Sequence, residues 1–274
     1  MDRVEVDNFS LEYTIESGQF FLYEKRGEFY YIIHRDIVFK VKQEGSYLYY
    51  DNILKEDMIL FFNLKEDFKK LVFDFDDEFL SLSLKKYWGL RIIKQDLWQC
   101  VIGFLCSQCS NIPKIKKNMK LICKFFGKKV IYDGIEFYTF PQIGAIDNFE
   151  KLTNCKVGYR AEYIFSFNEI ALENNFLNEL QKKQYFDAKN MLLEIKGIGN
   201  KVADCVCLYG LGHKEAFPVD TWVRQVLELL YLKKKVSNKE MLVFIDTYFK
   251  ENKGLKQQYL FHYARHNLKN LIFK

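Results

Sequence analysis

The feature that most constrains this chain is a change in the period of its hydrophobic residues near Glu56. Before it, the runs FFLYE, FYYIIH, IVFKV and YLYYD are separated by turns at RGE, RD and QEGS. Aromatic and β-branched residues repeating at every second position form half-buried strands, and turns this short join such strands antiparallel. After it, runs such as EDMILFFNL and DEFLSLSLKKYWGL take on the spacing of helices with one buried face. The expected fold is therefore α+β, with an antiparallel β domain at residues 1–80 and a larger helical body at 81–274. With 26 Phe and 18 Tyr in 274 residues the chain has ample material for a packed core, which excludes a disordered protein.

Within the helical part, DLWQCVIGFLCSQ reads as a buried helix begun by Asp96. It ends in the polar stretch SQCSNIP, and Pro113 can open the next helix, KIKKNMKLICKFFG. From Ile112 to Val130 there are seven lysines (Lys114, Lys116, Lys117, Lys120, Lys124, Lys128, Lys129) and no acid. A lysine run is ordinarily a solvated helix face, but one without compensating acids also suits a polyanion. The following stretch, YDGIEFYTFPQIGAIDNFEKL, shows no clear period. In KVGYRAEYI, Gly158 ends a turn and Tyr159 and Arg160 begin a helix, setting an aromatic ring and a cation at its terminus.

Residues 192–212 carry the densest signal. An apolar helical run ends at Ile195, KGIG places Gly197 and Gly199 two apart, and NKVADCVCLYGL begins at once. Both glycines are expected to supply backbone angles closed to other residues. The amides at the start of the second helix then face outward, where unpaired N–H groups and the helix dipole favour a phosphate. A plain helical hairpin with a glycine turn has the same pattern. What sets this one apart is Lys201 in the first turn of the second helix, with Asp220 nineteen residues later. A lysine at the positive end of a helix is electrostatically misplaced, which marks it as a candidate nucleophile.

The seven cysteines include C-x-x-C at Cys106/Cys109 and C-x-C at Cys205/Cys207, with neither a second pair nor a histidine group at ligand spacing. No metal site and no organic cofactor are expected, and the cysteines are read as small hydrophobes of a reducing compartment. No apolar run is long enough to span a membrane, and MDRVEVDNFSLEY lacks the features of a signal peptide, so a cytoplasmic protein is expected. A monomer is expected as well.

On SGQFF, QDLWQCVIGFLCSQ with NIPKI, VGYRAEYI, GIGNKVADCVC through PVD and QQYLF, the chain resembles the 8-oxoguanine DNA glycosylases of the helix-hairpin-helix superfamily. The resemblance implies a small antiparallel β domain on two helical subdomains, and duplex DNA containing 8-oxoguanine as substrate. It implies that Lys201 attacks the sugar, expels the base and becomes a Schiff base, while Asp220 stabilises the positive charge on the sugar. β-Elimination from that Schiff base would cut the strand, making the enzyme a glycosylase and a lyase. The Gly18 carbonyl would meet the N7–H that distinguishes 8-oxoguanine from guanine, Phe261 and Cys205 would cover the faces of the base, and Gln257 would bond its Watson–Crick edge. Without the resemblance, Gly18 reads as a hairpin or bulge, Phe261 as a core aromatic and Gln257 as an exposed helical residue.

The same resemblance assigns Arg160 to the opposite cytosine and Tyr159 to the space left beside it. Two positions depart from the family. Cys109 stands where the family has asparagine, and Lys114 where it often has a second cytosine-reading arginine; both changes imply reduced stringency for the opposite base. Trp222 also stands where some relatives have histidine. A glycosylase for another damaged base and a non-catalytic hairpin module for binding DNA are the competing readings. Lys201 and Asp220 together speak against the second, because phosphate binding by backbone amides needs neither.

Overall fold

The structure, a computed structural model, describes residues 1–173 and 175–272. Its N-terminal sheet has five strands: β1 (Asp2–Glu5), β2 (Tyr23–Arg26), β3 (Phe29–His34), β4 (Ile37–Glu44) and β5 (Tyr47–Asp51). They are antiparallel in the order β1-β5-β4-β3-β2, with Tyr31 opposite Lys40 and Val41 opposite Tyr50. Two details differ from the periodic reading. The first strand, DRVE, is mostly exposed and carries little hydrophobic pattern, and in FFLYE only the last two residues join the sheet. Phe20, Phe21 and Leu22 are buried outside it. Between these strands lies a short helix, α1 (Leu11–Ile15), begun by Ser10, whose Oγ accepts from the Tyr13 amide at 3.2 Å.

The helical part continues with α2 (Lys55–Phe61), α3 (Phe68–Leu71), α4 (Glu78–Lys86), α5 (Leu97–Cys106) and α6 (Ile112–Phe126). Every residue of α5 is buried, and Asp96 caps it by accepting from the Gln99 amide at 2.9 Å. Asn111 caps α6, with Pro113 in the first turn, where its missing N–H costs nothing. The stretch without a clear period contains a two-stranded hairpin, β6 (Lys129–Tyr132) and β7 (Ile135–Tyr138). Asp133 at φ +53° and Gly134 at φ +71° turn it, an Asp-Gly pair matching the right-handed twist of the flanking strands.

Next come α7 (Phe149–Thr153), α8 (Arg160–Leu172), α9 (Phe176–Gln181) and α10 (Tyr185–Leu193). The second hairpin helix, α11 (Asn200–Cys205), runs on as a π-helical turn through Val206–Leu211. α12 (Thr221–Val226) continues the same way through Leu227–Leu232, followed by α13 (Asn238–Tyr248) and α14 (Lys253–Ile272). Two hydrophobic cores result. One joins the sheet to α5, α6, α8 and the hairpin helices; the other joins α3, α4 and Tyr87 to α12, α13 and α14. The change of period therefore lies ahead of segments that pack with the C-terminal helices. α5 and α11 belong to the first core and α14 to the second, so a cleft between them is walled by both.

Candidate active site

Four segments far apart in sequence meet around one cleft of about 720 Å³. They are the turn at Gly18, the end of α5 with the loop after it, α11 with Asp220, and α14. Lys201, Asp220, Cys205, Gly18, Gln257 and Phe261 all line this cleft, as do Ser107 and Cys109. The expected nucleophile and base pocket therefore share one cavity.

Lys201 is the second residue of α11, after the N-cap Gly199. Its Nζ donates to Ser107 Oγ at 2.9 Å and lies 5.1 Å from the centre of the Phe104 ring. Ser107 gives its only hydrogen to the Phe104 carbonyl at 2.7 Å, so it can only accept from the lysine. Among the described residues no carboxylate lies within 4.0 Å of that amine. Asp220 caps α12, accepting from the Val223 amide at 2.8 Å, and its burial pushes its pKa above the ordinary carboxylate value even though Lys201 and the helix amides pull it down. Burial raises the Cys205 thiol to about 12, so it lines the cleft as a neutral group. The hairpin itself is braced from inside by Lys189 of α10, paired at 2.8 Å with the buried Asp204 of α11.

The turn at Gly18 is held on every side except one. Gly18 adopts φ +86°, in the region that favours glycine. The carbonyls of its neighbours are occupied: Glu16 accepts from Arg265 Nη2 at 3.1 Å, Ser17 from Gln258 Nε2 at 3.2 Å, and Gln19 from Gln95 Nε2 at 2.6 Å. The buried Gln19 amide reaches across to the Arg91 carbonyl at 2.8 Å and the Ile93 amide at 2.7 Å, fixing the turn to the segment before α5. Among the described residues no donor reaches the Gly18 carbonyl. A side chain at position 18 would meet Arg265 Nη1 at 2.6 Å, Ile112 Cδ1 at 2.7 Å and Phe261 Cε1 at 3.2 Å. Gln257 is 3% exposed, against the exposed position its residue type suggests, and among the described residues its Oε1 has no hydrogen-bond partner.

Of the residues expected to read the opposite base, Cys109 lines the cleft, whereas Tyr159, Arg160 and Lys114 lie outside its lining. Tyr159, 53% exposed, stands at the start of α8 with the Arg160 guanidinium 4.6 Å from its ring. Arg160 is buried and donates to the carbonyls of Gln108 at 2.8 Å, Val157 at 3.0 Å and Cys109 at 3.2 Å. In this state it holds the loop after α5 rather than presenting a free fork. Cys109 is exposed at φ +44°, and Lys114 is exposed on the first turns of α6.

The two hairpin glycines differ. Gly197 has φ +91°, and a side chain there would strike the Tyr163 ring at 2.3 Å. Gly199, in contrast to the expectation, is extended at φ −97°, a conformation open to any residue, and faces open space. Its missing side chain leaves room at the surface rather than relieving strain.

Two residues of the cleft escaped the sequence reading. Ser107 belongs to the polar stretch after α5 but is distinguished only by its contact with Lys201. Arg265 follows Gln257 and Phe261 at intervals of four, which puts all three on one face of α14; that spacing is the signal. Arg265 Nη1 is buried, with no partner among the described residues.

Residues 3–101 match the family described as 8-oxoguanine DNA glycosylase, N-terminal domain. A probable N-glycosylase/DNA lyase of Methanothermobacter thermautotrophicus is 30% identical, over 96% of this chain and 96% of its own length. Among solved structures, MBOgg1 bound to a low-affinity DNA ligand superposes with a TM-score of 0.91 at 33% identity, covering 96% of this chain and 95% of that one. The Clostridium acetobutylicum 8-oxoguanine glycosylase/lyase, bound to double-stranded DNA with cytosine opposite 8-oxoguanine, superposes with a TM-score of 0.90 at 30% identity, covering 97% of this chain and 94% of that one. With likeness of this extent across both cores and the sheet, the chain belongs to the 8-oxoguanine DNA glycosylase family of helix-hairpin-helix N-glycosylase/DNA lyases.

Proposed function

We propose that this protein removes 8-oxoguanine from duplex DNA by base excision and then cuts the strand, with Lys201 as nucleophile. The observation that carries the reading is the shared cleft: an amine that has no carboxylate partner among the described residues opens into the same cavity as a glycine carbonyl and a buried glutamine oxygen that no donor among them reaches. A base inside a duplex cannot reach such a cavity, so the nucleotide is rotated out of the stack. There the Gly18 carbonyl accepts the N7–H that guanine lacks. Gln257 bonds the Watson–Crick edge, and Phe261 and Cys205 enclose the ring faces.

In the reaction, the lone pair of the neutral Lys201 amine forms a bond to the sugar C1′ as the bond from C1′ to the base breaks. The departing electron pair leaves with the base, which takes up a proton. Asp220, held by its cap, lies against the positive charge that builds on the sugar. Loss of the amine proton and opening of the sugar ring give the Schiff base. Removal of a proton from C2′ then expels the 3′ phosphate. The amides around Gly197 and Gly199 grip the DNA backbone. Arg160, Tyr159, Cys109 and Lys114 face the opposite strand, with cytosine as the preferred partner base and weakened discrimination at Cys109. No metal or organic cofactor enters these steps.

Single-turnover excision tests the substrate. A duplex with 8-oxoguanine opposite cytosine should release its base and be nicked, while the same duplex carrying guanine should stay intact. Equal release from both would reject the lesion assignment, and release without nicking would reject the lyase step.

A further inference from the structure

Beside the reaction cleft lies a second groove, of about 450 Å³, lined by Pro113, Lys116, Lys117, Lys120, Leu121 and Lys124. Each of these positions is three or four residues from another of the set, so they form one face of α6. Pro113 also lines the reaction cleft, so the two cavities adjoin there.

The charge of this groove is poorly compensated. Lys120 pairs with Glu24 of β2 at 2.6 Å, and the same carboxylate is shared with Arg26 at 2.9 Å. Glu16, the other acid facing this region, is bonded to Lys25 and to the Tyr30 hydroxyl. Lys116 lies over the Tyr23 ring, its Nζ 3.4 Å from the ring centre. Lys117 and Lys124 are exposed, and among the described residues neither makes a hydrogen bond or an ion pair. Like charges stacked along one helix face repel one another, so an anionic occupant would stabilise the arrangement.

We infer that this groove is a track for the phosphodiester backbone of duplex DNA, continuing outward from the flipped-nucleotide site at Pro113. The inference rests on the proposed reading of the main cleft. From Pro113 to Lys124 the helix rises about 16 Å, comparable to the axial length of about five nucleotides of B-form DNA. The track carries no base-reading group. It therefore adds affinity without lesion selectivity, and it serves the search along undamaged DNA as much as the final complex.

The test is the salt dependence of binding by the double variant Lys117→Gln/Lys124→Gln. Both side chains are exposed and unpaired, so the fold should be preserved, which a thermal melt checks. On a duplex extending well beyond the lesion on both sides, the slope of log affinity against log salt should fall by about 1.8, or about 0.9 per lost phosphate contact. Excision at saturating DNA should be unchanged, and Lys117→Arg/Lys124→Arg should restore the slope. Trimming the duplex on one side of the lesion should abolish the difference between variant and parent, whereas trimming the other side should not. An unchanged slope, or a difference that neither trimming abolishes, would overturn the track. Failure of the unaltered protein to prefer 8-oxoguanine duplex over undamaged duplex would instead defeat the reading of the main cleft.

Discussion

Gly18→Ala places one methyl group where the base edge is proposed to sit. The backbone at position 18 has φ +86°, so an L-residue there costs about 1–2 kcal/mol. At about 2–4 °C per kcal/mol, the melting temperature should fall by about 2–8 °C. The new methyl would also stand 2.6 Å from Arg265 Nη1, 2.7 Å from Ile112 Cδ1 and 3.2 Å from Phe261 Cε1, so all three must move. The first is the end of a flexible chain, and the third is the proposed stacking ring. A base held off the Gly18 carbonyl loses the hydrogen bond of its N7–H and leaves that donor buried, a loss of about 1–3 kcal/mol, equivalent to about 5- to 150-fold in rate. Single-turnover excision, measured well below the lowered melting point, separates this loss from unfolding. A Gly18→Ala protein that melts as the parent does and excises 8-oxoguanine at full rate would refute the placement of the base edge.

Three further substitutions probe the rest of the cleft. Asp220→Asn keeps a helix cap of equal quality but removes the charge, so excision should slow by about 10²–10³-fold. Because burial raises the Asp220 pKa, its ionised form opposes folding above that pKa; the asparagine variant should match or exceed the parent in melting temperature near neutral pH, and lose that advantage as the pH falls through the raised pKa to the ordinary carboxylate value. Full activity in this variant would remove the carboxylate from the mechanism. Ser107→Ala removes the hydrogen-bond acceptor of the Lys201 amine and should slow excision by about 2- to 12-fold, as expected for one hydrogen bond; a loss of several thousandfold would mean that Ser107 takes part in the chemistry itself. Cys109→Asn suits the left-handed backbone at φ +44° and adds a donor and an acceptor facing the opposite strand, so it should sharpen the preference for cytosine in a comparison of C, A, T and G opposite the lesion. An unaltered preference would place that residue outside base reading.

What the sequence disclosed and what it hid follow from the range of the interactions involved. The sheet, the helix start at Asp96, the opening of the next helix at Pro113 and the helical hairpin are governed by residues within a few positions of one another, and they were legible. The hairpin at Asp133 and Gly134 was equally local, but its four-residue strands are too short to establish a period. Gly18 reads as a mere turn because what makes it a candidate reader is the set of bonds from Arg265, Gln258 and Gln95 that occupy its neighbours' carbonyls. Gly197 and Gly199 look equivalent in KGIG, yet only the first has a ring packed against it. Arg160 shows the same limit: a cation at a helix start is visible in the sequence, but its commitment to the carbonyls of Gln108, Val157 and Cys109 is not.

The central claim is that Lys201 forms a covalent bond to the sugar. Borohydride reduces a Schiff base to a stable amine, so a duplex carrying 8-oxoguanine, incubated with the protein and borohydride, should yield a protein–DNA adduct that survives denaturation. Lys201→Gln should yield none. No adduct with the unaltered protein, or an undiminished one with the glutamine variant, would contradict the mechanism.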